Sequence, residues 1–472
     1  MARNSLCRPH RSLLTDASVR ALESLKAASV VAAVACALVV PTRSDAAEER
    51  TPRVLRLDDA LATALEHQPT VLQARAQTEA AAGRVEQARS GYLPQVTGTA
   101  LYERLHSSSG VGIGTGISST TGTAGTSTTT GTTGLAATHN LFSAGLTATQ
   151  LIWDFGQTID RTRAAAASRD SLQSTERTAK QQAMLLVRTA FFQAHAQKAL
   201  VTVGNESVSN QQRHLAQIQG FVEQGIRPEI DLAQARTDLA NARVTLINAQ
   251  TNYITAKAQL NQAMGVQGPL DFEVSDEDIS GVPEEDQSIP QLVAIASQSR
   301  PEFQALERQR RASELTLSAI HGAYGPTLAA LGGVSESGFA LDSMGTNWNV
   351  GLSLNWPLFQ GGLTAGQSRE ARANIDVASA QITAEQLQIR VQVEQAELAI
   401  QSAKVVIDAS KDATTNAREQ LRLAEGRYES GVGSVIELGD AQLAVQNTEA
   451  QLVQAEFSLA LARAELLSAL GR

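Results

Sequence analysis

The chain has 472 residues, and only 4% of them are aromatic. So few aromatic residues, together with abundant alanine and glutamine, are typical of long helices with thin packing seams rather than of thick globular cores. A formal net charge of −9 without a basic patch argues against nucleic acids as partners.

The motifs of common enzyme classes are absent from the sequence. It contains no Gly-Lys-Ser/Thr for phosphate binding, no His-Glu-x-x-His for zinc and no Gly-x-Ser-x-Gly nucleophile. The seven histidines are scattered along the chain. We therefore predict neither an enzyme, nor a cofactor, nor a metal site.

Residues 1–46 resemble a secretory signal peptide. Basic residues precede an apolar run over residues 27–40, and Ser44-Asp45-Ala46 offers a cleavage site between small residues. The run is shorter than the roughly 20 residues of a membrane-spanning helix. Both cysteines, Cys7 and Cys36, lie in this segment, so the predicted mature chain has no thiol. The alternative is that Cys36 is a lipid acceptor.

The rest of the chain contains two copies of one unit. Identical residues recur at two ungapped offsets. They are Tyr92 with Tyr324 and Pro94 with Pro326 at an offset of 232, and Gly225 with Gly431 and Leu232 with Leu438 at an offset of 206. We predict a first repeat over residues 47–270 and a second over 289–472. The acidic linker between them, residues 271–288, is predicted to be a solvated surface strap.

The offsets differ by 26 residues, which indicates an insertion in the first repeat. Ser, Thr and Gly make up 24 of the 28 residues from Ser107 to Gly134. Such a low-complexity segment has too few apolar residues for a core. We predict a surface loop over residues 107–137.

Each repeat begins with a short helix, over about residues 57–89 and 291–321. Two extended segments follow, and then a long helical hairpin. The outgoing helices, residues 156–222 and 362–428, would each be about 100 Å long at 1.5 Å per residue. From Ile389 to Leu470 small and apolar residues recur every 3.5 residues, which is typical of a coiled coil. The return helices are shorter, so we expect each to be continued end to end by a short helix.

The later extended segment of each repeat alternates between apolar and polar residues. The apolar positions are Trp348, Val350, Leu352, Leu354 and Trp356, echoed by Phe142, Ala144, Leu146 and Ala148. This pattern fits a strand of a membrane barrel, and it fits equally a half-buried strand of a soluble sheet. Four strands cannot close a barrel, for which about eight are needed. If the sheet lies in a membrane, several copies of the chain must therefore combine.

Four features together resemble the TolC-like outer membrane efflux and type I secretion channels. They are the two repeats, the Tyr-x-Pro motifs before the strands, the glycine bends and the Trp-Pro-Leu-Phe-Gln-Gly-Gly stretch at residues 356–362. The resemblance implies a mainly helical fold with a long antiparallel coiled-coil tunnel. It also implies four strands per chain that complete a 12-stranded barrel in a homotrimer.

The resemblance also implies where the protein acts and with what. The barrel would lie in the outer membrane with loop 107–137 outside the cell, and the tunnel would cross the periplasm. The expected partners are outer membrane lipid, a periplasmic adaptor and an inner-membrane pump or ABC transporter.

Both hairpin bends match the family's periplasmic tips, which form its adaptor-docking surface. Gly225 and Gly431 suit the left-handed end of a helix, and Pro228 suits the start of the next helix. A plain turn explains the same residues. The predicted docking residues are Gly225, Ile226, Arg227, Pro228, Gly431, Val432 and Gly433.

Two further predictions concern the tunnel entrance. Glu437 and Asp440 lie three residues apart on one helix face, where family members place acidic rings; a solvated pair at a helix N-terminus is the alternative. In the family, a tyrosine and an aspartate hold the entrance closed, and Tyr428 and Asp231 match their positions. The arginine that strengthens this contact in the family is replaced here by Gly433.

Two hypotheses for the function follow. The first is a passive exit duct for an energised inner-membrane pump. The second is a periplasmic or secreted coiled-coil scaffold with a small soluble sheet and no channel activity. The alternating strands favour the first.

Overall fold

The computed structural model describes residues 53–107, 137–277 and 281–472. The predicted signal peptide lies outside the described residues, as does the predicted surface loop except for its two end residues. From Val54 onward, the described chain forms one compact and mainly helical unit.

The two repeats contain the same series of long elements. The first consists of β1 (Arg53–Leu55), α1 (Leu57–His67), α2 (Pro69–Arg89), β2 (Gln95–Ser107), β3 (Ala137–Trp153), α3 (Gln157–Glu223), α4 (Glu229–Met264) and β4 (Phe272–Val274). The second consists of α5 (Ile289–Ser299), α6 (Pro301–Gly322), β5 (Thr327–Gly338), β6 (Gly345–Asn355), α7 (Leu363–Glu429) and α8 (Val435–Ala469).

The short helix predicted at the start of each repeat is in fact two helices, divided at a proline. Gln68 and Arg300 adopt extended backbone conformations, with ψ angles of 121° and 123°. A proline ring disfavours the helical conformation in the residue before it, which ends α1 and α5. Pro69 and Pro301 then serve as the first residues of α2 and α6, where a proline is well tolerated.

The long helices have the predicted length. α3 and α7 contain 67 residues each. The seam predicted from the 3.5-residue spacing is buried along α7, at Ile389, Val393, Ala396, Ile400 and Ala403.

Each return helix stacks end to end on a short helix, as the lengths predicted. At the end of α4, a Cβ atom on Gly265 would lie 2.6 Å from the carbonyl oxygen of His67. At the end of α8, Arg300 Nε donates to the carbonyl oxygen of Ala469 at 2.8 Å. The stacked pairs α4/α2 and α8/α6 therefore act as two continuous columns.

The helices lie side by side as four columns, in the order α2/α4, α3, α6/α8, α7. α3 packs against α2 and α4 as well as against α6 and α8. α7 packs against α6, α8 and the short helix α5. The outer columns of this wall are α2/α4 and α7. Among the described residues, no helix is both long and apolar enough to cross a membrane.

Beyond one end of the columns, four strands form an antiparallel sheet in the order β2-β3-β5-β6. The register places apolar residues of successive strands opposite one another, as in the row Leu146–Val334–Trp348. The next row, Thr147–Gly333–Asn349, lies on the other face. β1 and β4 form a separate two-stranded sheet.

The apolar face of the four-stranded sheet is uncovered. Seven of its large side chains are more than half exposed: Val96, Leu146, Val334, Trp348, Val350, Leu352 and Leu354. A bulge between Leu151 and Trp153 places Trp153 opposite Leu328 and so on the apolar face. The sheet therefore presents a continuous apolar surface that none of the described residues of a single chain covers.

The linker was predicted to be a solvated surface strap. Asp271, Glu273, Asp276 and Asp286 are exposed, but the described linker also forms ion pairs with basic residues elsewhere in the chain. Glu277 accepts a hydrogen bond from Arg56 at 3.0 Å, and Asp276 pairs with Lys198 at 2.8 Å. Past the undescribed residues 278–280, the carboxylate of Glu285 is only 6% exposed. The sequence shows the acidic residues of the linker but not the basic residues, distant in the chain, that fold against them.

Glu285 joins the linker to both helices of the second hairpin. Lys404 Nζ of α7 lies 2.6 Å from one carboxylate oxygen, and Arg463 Nε of α8 lies 3.2 Å from the other. Burial raises the pKa of the Glu285 carboxyl, but the hydrogen bonds from these two cations outweigh burial and hold the pKa below its ordinary value. The carboxylate therefore stabilises the folded chain while it is ionised.

Replacing Glu285 by glutamine should lower the free energy of unfolding by about 1–3 kcal/mol, the usual contribution of hydrogen bonds to a charged group. Because the folded-state pKa is depressed, this contribution is complete above the ordinary carboxyl pKa and is lost as the pH falls through the lowered value. Denaturant unfolding of the full chain in detergent, followed by circular dichroism over a pH series, measures both effects.

The matched control is Glu419→Gln. Glu419 pairs with Arg422 on a solvent-exposed face of α7 at 2.6 Å, and exposed pairs contribute little to stability. Equal losses for the two variants, or a pH profile unchanged in Glu285→Gln, would contradict the assignment.

Candidate functional site

The two hairpins turn through bends of the same design at the end of the columns away from the sheet. Gly225 and Gly431 have φ angles of +72° and +78°, in the left-handed region where glycine carries no Cβ penalty. The next residues, Ile226 and Val432, donate backbone hydrogen bonds to Phe221 and Arg427 of the preceding helices. Each long helix thus ends on a capped glycine.

The helices restart by different means. Pro228 is extended and precedes α4, whereas the side chain of Ser434 accepts a hydrogen bond from the backbone N–H of Ile436 at 3.1 Å and caps α8. Asp231 and Glu437 lie in the first turns of these helices, where negative charge is favoured.

Each tip exposes two branched apolar side chains. Ile226 and Ile230 are 62% and 73% exposed, and their counterparts at the 206-residue offset, Val432 and Ile436, are 74% and 70% exposed. Ile226 and Val432 were among the predicted docking residues. Ile230 and Ile436 were missed, although the repeat offset could have revealed them.

Tyr428 is the largest buried side chain near the tips. It is 2% exposed and lies in a cluster with Ile218 and Ala235 of the first hairpin and Leu438 of the second. The ring centroid of His214 lies 5.4 Å from that of Tyr428 in an edge-on arrangement. Tyr428 therefore packs its own hairpin against the neighbouring hairpin.

Arg227 links the two bends. Its guanidinium carbon lies 4.8 Å from the centroid of the Tyr428 ring, a cation–π contact. Its Nη2 donates to the carbonyl oxygen of Gly433 at 3.3 Å, and its Nη1 lies 4.0 Å from Asp231 Oδ2. One cation thus contacts the tyrosine, the aspartate and the opposite bend.

Arg227 was predicted only as part of the docking surface. Its contacts with Tyr428 and Gly433 were not predicted. The offset of 206 pairs Arg227 with Gly433, the position where the resemblance had led us to expect an arginine. A Cβ atom on Gly433 would lie 2.8 Å from the backbone nitrogen of Tyr428, so the second bend has no room for a side chain there. In this chain the first bend supplies the arginine.

The predicted pair, Asp231 and Tyr428, is brought into this cluster without a direct hydrogen bond. The hydroxyl of Tyr428 is buried and has no hydrogen-bond partner among the described residues. Burial raises the pKa of Tyr428, with Arg227 acting to lower it and Asp231 to raise it. Arg227 mediates the contact between the two predicted residues.

Glu437 and Asp440 lie just beyond the second bend. Glu437 is partly exposed and pairs with Arg427 across the bend at 3.4 Å. Asp440 is exposed to solvent. In a single chain both carboxylates thus remain accessible, one beside an arginine.

A cavity of about 180 Å³ lies between the hairpins beside Tyr428 and His214. Burial lowers the pKa of His214, while Asp238 opposes this effect. No pattern in the sequence distinguishes His214 from the other histidines, because its burial depends on residues of the second hairpin.

Comparison with known proteins places the whole assembly of elements in one family. The sequence matches the family described as outer membrane efflux protein over residues 60–266 and 292–472. The matched segments include both hairpins, both bends and all four strands of the larger sheet.

Individual relatives are distant. Outer membrane protein TolC of Escherichia coli K12 is 27% identical over 129 residues, 27% of this chain and 26% of the relative. Outer membrane efflux protein BepC of Brucella suis biovar 1 is 25% identical over 341 residues, 70% of this chain and 72% of the relative. The aligned part of this chain thus spans about a quarter of TolC and most of BepC.

Solved structures show the same fold. CusC superimposes with a TM-score of 0.74 at 19% identity, covering 88% of this chain and 92% of that chain. VceC from Vibrio cholerae superimposes with a TM-score of 0.72 at 17% identity, covering 88% and 96%. The predicted fold class, long helical hairpins with a few strands per chain, is confirmed.

The family is one of channels rather than enzymes, and its place is the outer membrane, as predicted from the sequence. The match covers both repeats, and the shared fold extends over most of the described chain. The chain belongs to the outer membrane efflux protein family.

Proposed function

We propose that three copies of the chain form an outer membrane channel-tunnel, the exit duct of a tripartite efflux pump or type I secretion system. The observation that carries this proposal is the exposed apolar sheet with its two unpaired edge strands, β2 and β6. Such a sheet cannot remain open in lipid, because the edge N–H and C=O groups would have no partners there.

Strand number favours three copies over two. Each chain supplies four strands, and a barrel of eight has an interior that its own side chains fill. Twelve strands leave a wider lumen. Aromatic pairs occur at both ends of the sheet, Tyr102 with Phe142 and Trp153 with Phe155, as in the girdles of membrane barrels.

The helices support the same assembly. Phe192 on α3 is buried in a cluster that Phe457 and Ala460 of α8 help to cover. Its counterpart on α7 at the 206-residue offset, Leu398, is 59% exposed. The counterpart of Ala460 on α4 is Ile254, which is 54% exposed. We infer that α7 of one copy packs against α4 of the next copy.

This arrangement predicts a specific crosslink. With the leader removed, the chain has no cysteine, so Leu398→Cys with Ile254→Cys provides one reactive pair per interface. A short bifunctional maleimide should convert the detergent-purified protein into covalent dimers and trimers and nothing larger, because a closed ring of three uses every interface. Denaturing electrophoresis measures the products.

Each single-cysteine variant, and Leu398→Cys combined with Val432→Cys at the tip, should give no such series. A ladder extending beyond three chains would indicate open assembly and contradict the trimer. A product that stops at dimers would contradict it as well.

We propose that Asp231 and Tyr428 hold the tunnel entrance closed, with Arg227 as the link between them. The support is geometric, since this cluster joins the first hairpin to the second at the end of the wall. The arginine contacts both predicted residues and the opposite bend, so loss of either partner removes part of one connected contact.

Replacing both Asp231 and Tyr428 by alanine should raise single-channel conductance in a planar bilayer, by at least about twofold, because the hairpins lose the contact that narrows the entrance. Tyr428→Phe is the matched control and should conduct like the parent protein, since the hydroxyl has no partner while the ring packs. An unchanged conductance in the double variant would rule out this gate.

Three copies would also place Glu437 and Asp440 as two stacked rings of three carboxylates at the entrance. Crowded carboxylates repel one another and attract cations. In the same recordings, Glu437→Gln with Asp440→Asn should lower the preference for cations, measured as the reversal potential in a salt gradient. If the preference for cations does not change, the two residues form no selective ring and act only as a solvated acidic pair at the N-terminus of α8.

We propose that the bends, Gly225 to Pro228 and Gly431 to Gly433, dock onto a periplasmic adaptor that connects the duct to an inner-membrane pump or ABC transporter. Each bend presents one exposed apolar side chain, Ile226 or Val432, and the first turn of the helix that follows presents another, Ile230 or Ile436. Exposed branched side chains on a rigid scaffold are suited to packing against a complementary apolar surface.

Ile226→Asp with Val432→Asp should abolish copurification with the organism's own adaptor, because each carboxylate would have to lose its water at the contact. The matched control is Gln224→Asp with Ser430→Asp. These residues directly precede Gly225 and Gly431, so the control adds the same two charges at the bends without removing apolar surface. If the Ile226→Asp, Val432→Asp variant binds the adaptor as well as the parent protein does, docking through these side chains is contradicted.

A further inference from the structure

We propose that the closed entrance is sensitive to protons through His214, so that acidification of the periplasm favours the open tips. This inference rests on the proposed gate at Tyr428, and it adds a regulatory group that neither the sequence motifs nor the family membership supplies. The imidazole lies between the two hairpins, beside Tyr428.

His214 belongs to the contact that must separate when the hairpins part. It lies on α3, is 7% exposed and meets the ring of Tyr428 from α7 edge-on. Arg227 lies over the same ring, with its guanidinium carbon 4.8 Å from the centroid. The imidazole and the guanidinium both belong to the first hairpin, and both contact this one aromatic ring of the second hairpin.

The charged groups around His214 come from three elements. Asp238 of α4 acts on it electrostatically, and Arg213 of α3 lines the adjoining cavity. Glu425 and Glu429 of α7 line the opposite wall. From α8 the lining residues are Leu438 and Gln442, which carry no charge. One cation and three carboxylates therefore lie near the ring, and among the described residues none of them forms an ion pair with His214.

In the closed arrangement burial outweighs the favourable effect of Asp238, so the pKa of His214 lies below its ordinary value. When the hairpins part, the ring enters water and its pKa returns towards the ordinary range. The open state therefore binds the proton more tightly. By linkage, stability of the closed contact is complete at neutral pH and falls as the pH drops through the ordinary histidine range.

The second hairpin shows that a histidine is not needed for the helix itself. The counterpart of His214 at the 206-residue offset is Gln420. Glutamine is polar, uncharged and compatible with the same position in a long helix. His214→Gln therefore removes the titrating group while keeping a residue that the other repeat already uses.

The chain offers a matched control in His195. It lies on the same helix α3, with Nε2 3.7 Å from an oxygen of Asp276 in the linker, and has no contact with Tyr428. His195→Gln removes an imidazole away from the tips and should not alter their response to protons.

Two measurements test the proposal on the full trimeric protein in detergent or bilayer. The first is the distance distribution between spin labels at Ile226→Cys and Val432→Cys, at about pH 7.5 and about pH 5.5. The second is open probability in planar bilayers at the same two values. We expect longer tip distances and an open probability at least about threefold higher at the acidic value, in the parent and in His195→Gln. Both responses should be lost in His214→Gln.

An acid response that persists in His214→Gln would overturn the proposal, and so would its absence from the parent protein. If the tips separate at acidic pH but the protein carries no current, the proton response of His214 is supported and the proposed channel function is contradicted. A channel that conducts equally at both values in all three proteins would support the duct and contradict the switch.

Discussion

The structure depends on the end-to-end contact between each return helix and a short helix. At both junctions a left-handed glycine, Gly265 or Gly471, lies against the residues that precede a proline-led helix. The close approach leaves no space for a side chain at Gly265, and the proline starts the next helix without an unpaired N–H. Each junction joins a return helix and a short helix into a column that approaches the length of one outgoing helix, so the sheet lies at one end of the wall and the tips at the other.

Around the junctions the chain places most of its apolar core. Val187, Phe191 and Leu260 cluster beside the first junction, and Val393 and Leu466 cluster beside the second. The linker adds ion pairs at the same level through Glu285. Away from this belt the helices meet through thin seams of small residues. The middle of the wall is therefore suited to rigidity, while the hairpin tips are held by fewer contacts.

Much of this architecture follows from the sequence because it is periodic. Repeat offsets, the 3.5-residue seam and strict alternation in β6 identified the hairpins, their lengths and the faces of the sheet. Contacts between distant residues could not be predicted in this way. The ion pairs of Glu285 were not foreseen because Lys404 and Arg463 lie more than a hundred residues away. The contacts of Arg227 with Tyr428 and Gly433 were not foreseen because those residues belong to the other hairpin. Periodicity in the sequence indicates local geometry, but it does not indicate which distant residues contact each other.

The differences between the repeats carry the functional argument. Two identical hairpins would pack identically, and nothing would distinguish the contact within a chain from the contact between chains. Here the first hairpin carries Arg227 and His214, while the second carries Gly433 and Gln420 at the corresponding positions and contributes Tyr428. The guanidinium and the imidazole of the first hairpin therefore meet the aromatic ring of the second at the contact within a chain. A trimer built from such chains would have two kinds of contact at its entrance, one held by this cluster and one without it, so the wall can open by weakening three contacts rather than six.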